Sequence, residues 1–399
     1  MKVAVASVLL GHVMRGVETW AHDLAAELHG RSVDVTLFKG GGPASAPYEV
    51  RLACTNHKAP IWNSVCQVTR HGGWRLGLAT PEKIQHTTFA LSLIHQLRRG
   101  QFDMVHLQDA WAGYVLERAH QRGLHRAKVI LGHGTNEPLD FLLKFQHVQE
   151  LSPYHLNRDR EHGLPADRKW FALPNFVDGN LFSPGETIAA RSDLNLPRDR
   201  FIVLDIAVLK PHHKRIEWLV EEVATLRRTR PEVFLVVAGA SAPETPFIQQ
   251  LIHDKLGDNA RVLMDVKRSQ MPTVYRAADL IAHPIFEERM PVALLEALAT
   301  GIPVIAHRFP IHDWVIGPGG CTVDMAAPGE LANQIESYIK DPAHRNKAGR
   351  AAREHVMAHF EKSRVVDDIL GMYEAVLRDA GGELRVEGRE PEGHRRVSI

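Results

Sequence analysis

Two glutamates, Glu288 and Glu296, stand in the segment ADLIAHPIFEERMPVALLEALATG (residues 278–301) with seven residues between them. Its first part predicts a buried strand that ends at His283, and its second part predicts a helix that ends at Gly301. Free backbone N–H groups and the helix dipole at such a helix start attract phosphate. Carboxylates on either side can accept hydrogen bonds from sugar hydroxyls. The segment therefore predicts a site for a nucleotide diphosphate sugar.

A basic loop supplies positive charge for a diphosphate. The sequence AVLKPHHKRIEWL (207–219) predicts a strand end, a loop and a helix start, with Lys210, Lys214 and Arg215 in the loop. Such cations stabilise a diphosphate leaving group as negative charge develops on it. Gly239 ends the next predicted strand. We predict that all four residues contribute to the donor site.

The first half of the chain contributes two further candidates. In VILGHGTNEP (129–138), His133 follows a short predicted strand, where it can donate a hydrogen bond or order an acceptor. In LGHVMRGVE (10–18), Gly16 follows the first predicted strand, and a glycine there lets the backbone approach a ligand closely. We predict His133 as a catalytic residue and Gly16 as part of a cleft loop.

Parallel strands are needed to position these side chains, and short apolar runs alternate with amphipathic stretches along the chain. The predicted strands cover residues 2–10, 33–39, 104–107, 128–132, 201–209, 234–238, 261–264, 280–283 and 304–306. This alternation predicts an α/β fold of βαβ units with helices on both faces of each sheet. Loops at the carboxyl ends of such strands bind ligands.

Turn-forming residues in PNFVDGNLFSP (174–184) predict a domain boundary. We predict an N-terminal domain over residues 1–180 and a C-terminal domain over 181–363. A last helix is predicted over 364–378, and residues 379–399 have the polar composition of a mobile tail.

These motifs resemble those of the retaining GT-B glycosyltransferases of family 4, over roughly residues 1–375. The resemblance implies two Rossmann-like domains facing each other across a cleft, with the last helix crossing back to the N-terminal domain. It also implies that the N-terminal domain binds the acceptor and the C-terminal domain binds the nucleotide sugar. Transfer of the sugar with retention of configuration is the activity that follows.

The resemblance also implies roles for individual residues. Glu288 falls at the position near the transferred sugar, Glu296 at the position that holds the ribose, and Lys214 at that of a diphosphate-binding lysine. Leu209 replaces the family arginine, so Lys210 or Arg215 is left to compensate. His133 matches a histidine that faces the transferred sugar.

A further departure concerns the loop that should contact the donor. The usual Gly-Phe-Gly after the first glutamate is Arg289-Met290-Pro291 here. We expect backbone N–H groups in the stretch Arg289, Met290, Pro291 and Val292 to hold the diphosphate.

Other classes of protein fit the sequence less well. The net charge of +1 gives no signature of nucleic-acid binding. Three scattered cysteines, Cys54, Cys66 and Cys321, argue against a disulfide scaffold or zinc site and favour a cytoplasmic location. No apolar run is long enough to span a membrane. Neither GxGxxG after the first strand nor GxxxxGK[ST] occurs. No Asp-x-Asp metal motif is present, so we expect no metal and no cofactor beyond the nucleotide sugar.

The identity of the acceptor stays open at this point, and a glycan, a lipid-linked sugar and a small molecule all fit the sequence. The stretch VTRHGGWRLG (68–77) suits either an anionic acceptor and peripheral membrane contact, or an ordinary solvated loop. Two rival functions also stay open. One is a GT-B epimerase or phosphorylase, and the other is an inactive nucleotide-sugar-binding scaffold.

Overall fold

The computed structural model describes residues 1–13, 16–59, 61–69 and 79–378. These form two compact units, one of Met1–Leu173 with the chain from Val366 onward, the other of Pro174–Val365. Pro174, rather than residue 181, begins the second unit because the backbone of Val177 pairs with Phe360 and Lys362 there. The predicted tail, 379–399, and nearly all of the basic stretch at 68–77 lie outside the described residues.

The first unit contains one sheet of seven parallel strands, in the order β3-β2-β1-β4-β5-β6-β7. Its strands are β1 (Lys2–Ser7), β2 (Asp34–Lys39), β3 (Glu49–Arg51), β4 (Met104–Leu107), β5 (Lys128–His133), β6 (His147–Glu150) and β7 (Lys169–Ala172). Its helices are α1 (Gly16–Gly30), α2 (Ile61–Val68), α3 (Pro81–Gly100), α4 (Ala110–Gln121), α5 (Leu139–Leu142) and α6 (Pro153–Glu161).

The second unit contains a parallel sheet of six strands, in the order β10-β9-β8-β11-β12-β13. Its strands are β8 (Phe201–Ile206), β9 (Val233–Gly239), β10 (Ala260–Met264), β11 (Leu280–His283), β12 (Val304–His307) and β13 (Gly320–Val323). Its helices are α7 (Thr187–Asp193), α8 (Ile216–Leu226), α9 (Thr245–Leu256), α10 (Met271–Arg276), α11 (Val292–Ala299), α12 (Pro310–Ile316), α13 (Glu330–Lys340) and α14 (Pro342–His359).

Both sheets reverse their strand order at one point, between β1 and β4 and between β8 and β11. The connections that follow the two paired strands leave to opposite faces of the sheet there, which opens a crevice at the carboxyl ends of the strands where ligands bind in such folds. The central strands are apolar and buried on both faces, as a sheet covered by helices requires. The fold therefore favours a ligand site at the loops after β8 and β11 in the second unit, and another at the carboxyl ends of the strands in the first.

The last helix, α15 (Lys362–Leu377), begins in the second unit, and its residues from Val366 onward belong to the first. In the first unit, the ring Nδ1 of buried His106 lies 2.8 Å from the hydroxyl of buried Tyr373. Nearby, Lys128 donates to the carbonyl of Val376 at 2.7 Å. Burial lowers the pKa of His106 to about 3, so this ring stays neutral. Within the part of the chain that the structure describes, no helix has the length and apolarity to cross a membrane.

The contact between Tyr373 and His106 provides a test of how this helix is held. Tyr373→Phe removes the hydroxyl and leaves a buried ring nitrogen of His106 without that partner. We expect the free energy of unfolding to fall by about 1–3 kcal/mol, measured by urea denaturation. Tyr48→Phe, at a partly buried tyrosine, serves as the control. Equal effects of the two changes would show that the hydrogen bond contributes nothing specific.

Candidate active site

Glu288 lies in the loop between β11 and α11, beside the point where the second sheet reverses its strand order. Its carboxylate forms an ion pair with Lys214, which lies in the loop between β8 and α8. Its other oxygen, Oε2, lies 3.2 Å from Nε2 of His283, the last residue of β11. The side chains of Lys214 and Glu288 are each 17% exposed. The structure therefore brings together the sequence-predicted Glu288 and Lys214.

The surroundings of Glu288 keep its carboxylate charged. Burial alone would raise its pKa, but the hydrogen bond and charge of His283 and the charge of Lys214 together hold the pKa well below its usual range. An ionised carboxylate accepts hydrogen bonds and stabilises nearby positive charge. It does not act as a general acid.

The other basic side chains of the β8–α8 loop are placed differently. Arg215 adopts a left-handed backbone conformation before α8, with φ of 52°. Its guanidinium donates to the carbonyl of Met325 at 3.0 Å and lies 3.7 Å from the ring centre of Phe286. Leu209 is fully buried in the core. Lys210 and Arg215 are both half-buried, so they differ in that the guanidinium of Arg215 is engaged by Met325 and Phe286.

A buried acid adjoins this ion pair. Asp205 lies near the end of β8 with no exposed surface, and neither carboxyl oxygen has a hydrogen-bond partner in the described residues. Burial raises the pKa of Asp205 to about 7, although the charges of His283 and Lys214 act in the opposite direction. The group is therefore neutral in the folded protein below neutral pH.

Glu296 is held firmly within α11. Its Oε2 accepts a hydrogen bond from the hydroxyl of Tyr275 at 2.8 Å, and its Oε1 accepts one from Arg268 at 3.1 Å. Burial, followed by the charge of Glu296 and its hydrogen bond, raises the pKa of Tyr275 well above its usual value, so Tyr275 remains a donor. These contacts fix the orientation of the carboxylate that the sequence assigned to a ribose.

The start of α11 departs from the sequence-based expectation. Pro291 precedes the helix, and the N–H of Val292 donates to the carbonyl of Met290 at 3.0 Å. This turn forms because φ of Pro291 is restricted, and it uses an N–H group that was expected to meet a diphosphate. The backbone role of Val292 stays a prediction, and it would require this N–H to leave Met290 or to be shared with the diphosphate. Arg289 is almost fully buried, so its side chain is largely withdrawn from solvent.

Gly239 ends β9 beside the end of β8. A Cβ atom on Gly239 would lie 1.6 Å from the carbonyl oxygen of Ala207, so no other residue fits without moving the backbone. This close approach of two strand ends explains why position 239 is a glycine. The role of Gly239 in donor binding stays a prediction.

In the first unit, His133 ends β5 and lies beside Glu150 of β6. The distance from its Nδ1 to Oε1 of Glu150 is 2.6 Å, and both side chains are buried. Gly16 is the first residue of α1, and a Cβ atom there would meet no atom within 4 Å. Gly16 is therefore not required by local packing.

A pocket of about 320 Å³ opens at the carboxyl ends of β1 and β2. Eight residues line it: Leu10, Gly11, His12, Val13, His22, Lys39, Ser45 and Glu49. Lys39 and Glu49 form a buried ion pair with Nζ and Oε2 2.5 Å apart, and Ser45 donates to the same carboxylate. The pocket therefore has polar walls at the edge of the sheet where ligands bind in this kind of fold.

Four residues of the second unit were not assigned a role from the sequence: Asp205, Arg268, Tyr275 and His283. His283 had a recognisable position, the end of a strand just before Glu288. Asp205 also carried a signal, since a charged residue interrupts an otherwise apolar strand. Arg268 and Tyr275 reach Glu296 from another helix and a loop, so nothing local in the sequence identified them.

Two family models together match most of the chain. The family described as Glycosyl transferases group 1 matches residues 186–355, and the family described as Glycosyltransferase Family 4 matches residues 14–178. The first match contains Lys214, Glu288 and Glu296, and the second contains His133. Each compact unit therefore has its own family match.

Curated relatives include the D-inositol 3-phosphate glycosyltransferases of Segniliparus rotundus and Mycolicibacterium smegmatis. The first is 31% identical over 76% of this chain and 70% of the relative. The second is 29% identical over 70% of this chain and 69% of the relative.

Solved structures of similar fold include a sucrose-phosphate synthase from Thermosynechococcus elongatus. It has a TM-score of 0.76 at 20% identity and covers 94% of this chain and 98% of its own. The Anabaena protein HepE, in complex with UDP and glucose, has a TM-score of 0.72 at 16% identity, over 94% and 100% of the two chains. These likenesses show that the chain has the GT-B fold.

The raised pKa of Asp205 predicts a pH-dependent stability. Between its ordinary value of 3.8 and about 7, the folded state binds a proton that the unfolded state lacks, so this group lowers stability as pH rises through that range. Asp205→Asn removes the buried charge at similar volume. We expect it to raise the free energy of unfolding by about 4 kcal/mol at pH 8 and by about half of that at pH 5, where the unfolded carboxyl is ionised but the folded one is protonated.

The control is Asp199→Asn, at an exposed aspartate of the same unit. Denaturation at both pH values measures the difference between the variants and the unmodified protein. An effect of Asp205→Asn that is equal at pH 5 and pH 8 would contradict a neutral buried acid.

Proposed function

The chain belongs to glycosyltransferase family 4 and transfers a sugar from a nucleotide sugar, and we propose that it does so with retention of configuration, without a metal ion, and to a phosphorylated polyol. The observation that carries the proposal is the ion pair of Lys214 and Glu288 where β8 and β11 end. The ammonium group of Lys214 suits a diphosphate, and the carboxylate of Glu288 suits the hydroxyl groups of a sugar.

The proposed donor site lies in the second unit. Lys214, assisted by Lys210, binds the diphosphate and stabilises the charge that develops as it leaves. Glu296 accepts hydrogen bonds from the ribose, held in place by Tyr275 and Arg268. This supply of positive charge from lysine supports a reaction that needs no divalent metal.

Retention is proposed from the state of Glu288. Its low pKa and its contacts with Lys214 and His283 keep it ionised and engaged. In that state it can accept hydrogen bonds from the sugar and stabilise positive charge near the anomeric carbon. We propose that the diphosphate leaves and the acceptor hydroxyl attacks from the same face of the sugar.

The acceptor is proposed to bind the first unit, in the pocket next to β1 and β2. Its volume of about 320 Å³ accommodates a single small ring. His12, His22 and Lys39 in its lining can contact a phosphate group. The relatives named D-inositol 3-phosphate glycosyltransferases support a phosphorylated polyol as the acceptor.

An inactive binding scaffold is a second candidate because two features of a donor site are altered. Leu209 is a core residue in place of a cation, and the turn at Pro291 uses the N–H of Val292. Such a protein would bind a nucleotide sugar and release no nucleotide. An epimerase or phosphorylase would instead yield epimerised donor or sugar phosphate, so product analysis separates all three.

Donor binding can be tested by thermal shift without metal, against UDP, GDP, ADP, dTDP and CMP and their sugars. A ligand that binds only the folded state raises the melting temperature, by several degrees at about 100 times Kd. We expect one nucleotide to do so. Lys214→Ala should weaken that binding about tenfold or more, whereas Lys347→Ala, at an exposed position of α14, should not change it. No shift with any nucleotide would contradict the donor site.

The role of Glu288 can be tested with Glu288→Gln, which keeps the shape and removes the charge. We expect kcat to fall about a hundredfold or more, while the Kd for the nucleotide changes less than about threefold, because the lost interaction acts on the transferred sugar. Nucleotide release in the presence of inositol 3-phosphate, measured with UDP-glucose first, provides the assay. Full activity of the variant would contradict this role.

Metal independence and retention are tested on the same reaction. We expect EDTA to change the rate less than about twofold, because lysine supplies the positive charge. Proton NMR should show an α-linked product from an α-linked donor. Activity that EDTA abolishes and Mg²⁺ restores, or a β-linked product, would overturn the corresponding part of the proposal.

A further inference from the structure

His133 occupies the centre of a tight turn at the end of β5. The N–H of Gly134 donates to the carbonyl of Gly132 at 3.0 Å, which closes a three-residue turn around it. Both glycines make room for the side chain of Gln108. A Cβ atom on Gly132 would lie 2.8 Å from its Cγ, and one on Gly134 would lie 3.0 Å from its Oε1. The backbone of His133 is therefore fixed by packing.

The side chain of His133 is held by the neighbouring strand. Glu150 pairs with His133 in the register of β5 and β6, and paired residues of parallel strands project to the same face. Nδ1 of His133 lies 2.6 Å from Oε1 of Glu150, whose side chain has no exposed surface. A buried carboxylate is costly unless it receives hydrogen bonds, so it favours a proton on Nδ1.

The opposite nitrogen of His133 points toward a more accessible side chain. Nε2 lies 3.6 Å from Oε2 of Glu137, which is 24% exposed and belongs to the loop after β5. Thr135 donates to the same oxygen of Glu137 at 2.5 Å. Nε2 itself has almost no exposed surface, so a ligand would reach it from the side of Glu137 by displacing that side chain, while Nδ1 stays engaged with Glu150.

We infer that Glu150 is a positioning residue, which acts through His133. By accepting a hydrogen bond from Nδ1–H, it fixes the ring orientation and turns Nε2 toward Glu137 and toward a ligand that approaches from that side. Carboxylates that orient a histidine in this way set its tautomer in other active sites. The role of His133 in sugar transfer rests on the proposed function, whereas the orientation of its ring by Glu150 does not.

The first readout is the tautomer, which requires no substrate. Nitrogen-15 NMR of the imidazole distinguishes Nδ1–H from Nε2–H, and the signals of His133 are assigned by their loss in His133→Asn. We expect the unmodified protein and Glu117→Ala to show Nδ1–H. Glu117 is a buried carboxylate of the same unit on α4, so it controls for removal of a buried acid. Glu150→Ala should show a mixture or Nε2–H.

The second readout is kinetic. We expect Glu150→Ala to lower kcat about 10- to 100-fold, as loss of an orienting partner does elsewhere, with KM for the donor changed less than about threefold. Glu117→Ala should keep kcat within about threefold. If Glu150→Ala fails to fold, Glu150→Met keeps a similar volume without a strong hydrogen-bond acceptor, and its tautomer decides the question.

The possible outcomes separate the inference from the proposed function. An unchanged Nδ1–H tautomer in the folded Glu150 variants overturns the positioning role, whatever their activity. A changed tautomer with full activity of both Glu150→Ala and His133→Asn supports the positioning of the ring but contradicts a role of His133 in transfer. A changed tautomer with reduced kcat supports both.

Discussion

The negative charge of Glu288 requires cations and hydrogen-bond donors close to it in the second unit. A carboxylate withdrawn from water is costly, and the cost is offset only by cations and hydrogen-bond donors at close range. Lys214 supplies these from the loop after β8 and His283 from the end of β11, two strands that adjoin at the reversal of the sheet order. The loops after β8 and β11 therefore depend on each other. Burial keeps Asp205 neutral beside them, although the charges of His283 and Lys214 act in the opposite direction.

The first unit also contains a buried carboxylate that needs a hydrogen-bonding partner, and different residues form this contact. Glu150 has no exposed surface, and it lies against His133 at the end of the adjacent strand. In both units a carboxylate meets a histidine that ends a central parallel strand. Parallel strands place their carboxyl ends along one edge, so polar groups that are far apart in sequence come together there.

Several features of the candidate site could be read from particular residues. The spacing of Glu288 and Glu296 after an apolar run identified the strand, loop and helix that carry them, and Lys214 was recognised from its place after β8. The residue types did not reveal that the Val292 N–H donates within the turn around Pro291, because that turn depends on a backbone hydrogen bond that they do not specify. Arg215 matched the charge expected of a donor contact, but its guanidinium is engaged by Met325 and Phe286, both distant in sequence.

By itself, the sequence determined the two α/β sheets, most strand positions and the family resemblance, because apolar periodicity and loop motifs are local properties of the chain. Only the tertiary structure decided which polar groups pair. The partners of Glu288, Glu296 and His133 come from other loops, helices or strands, and their distances depend on strand order and register. The burial that makes Asp205 neutral likewise arises from packing by the rest of its unit, since the free energy of a charge depends on the solvent and dipoles around it rather than on its neighbours in sequence.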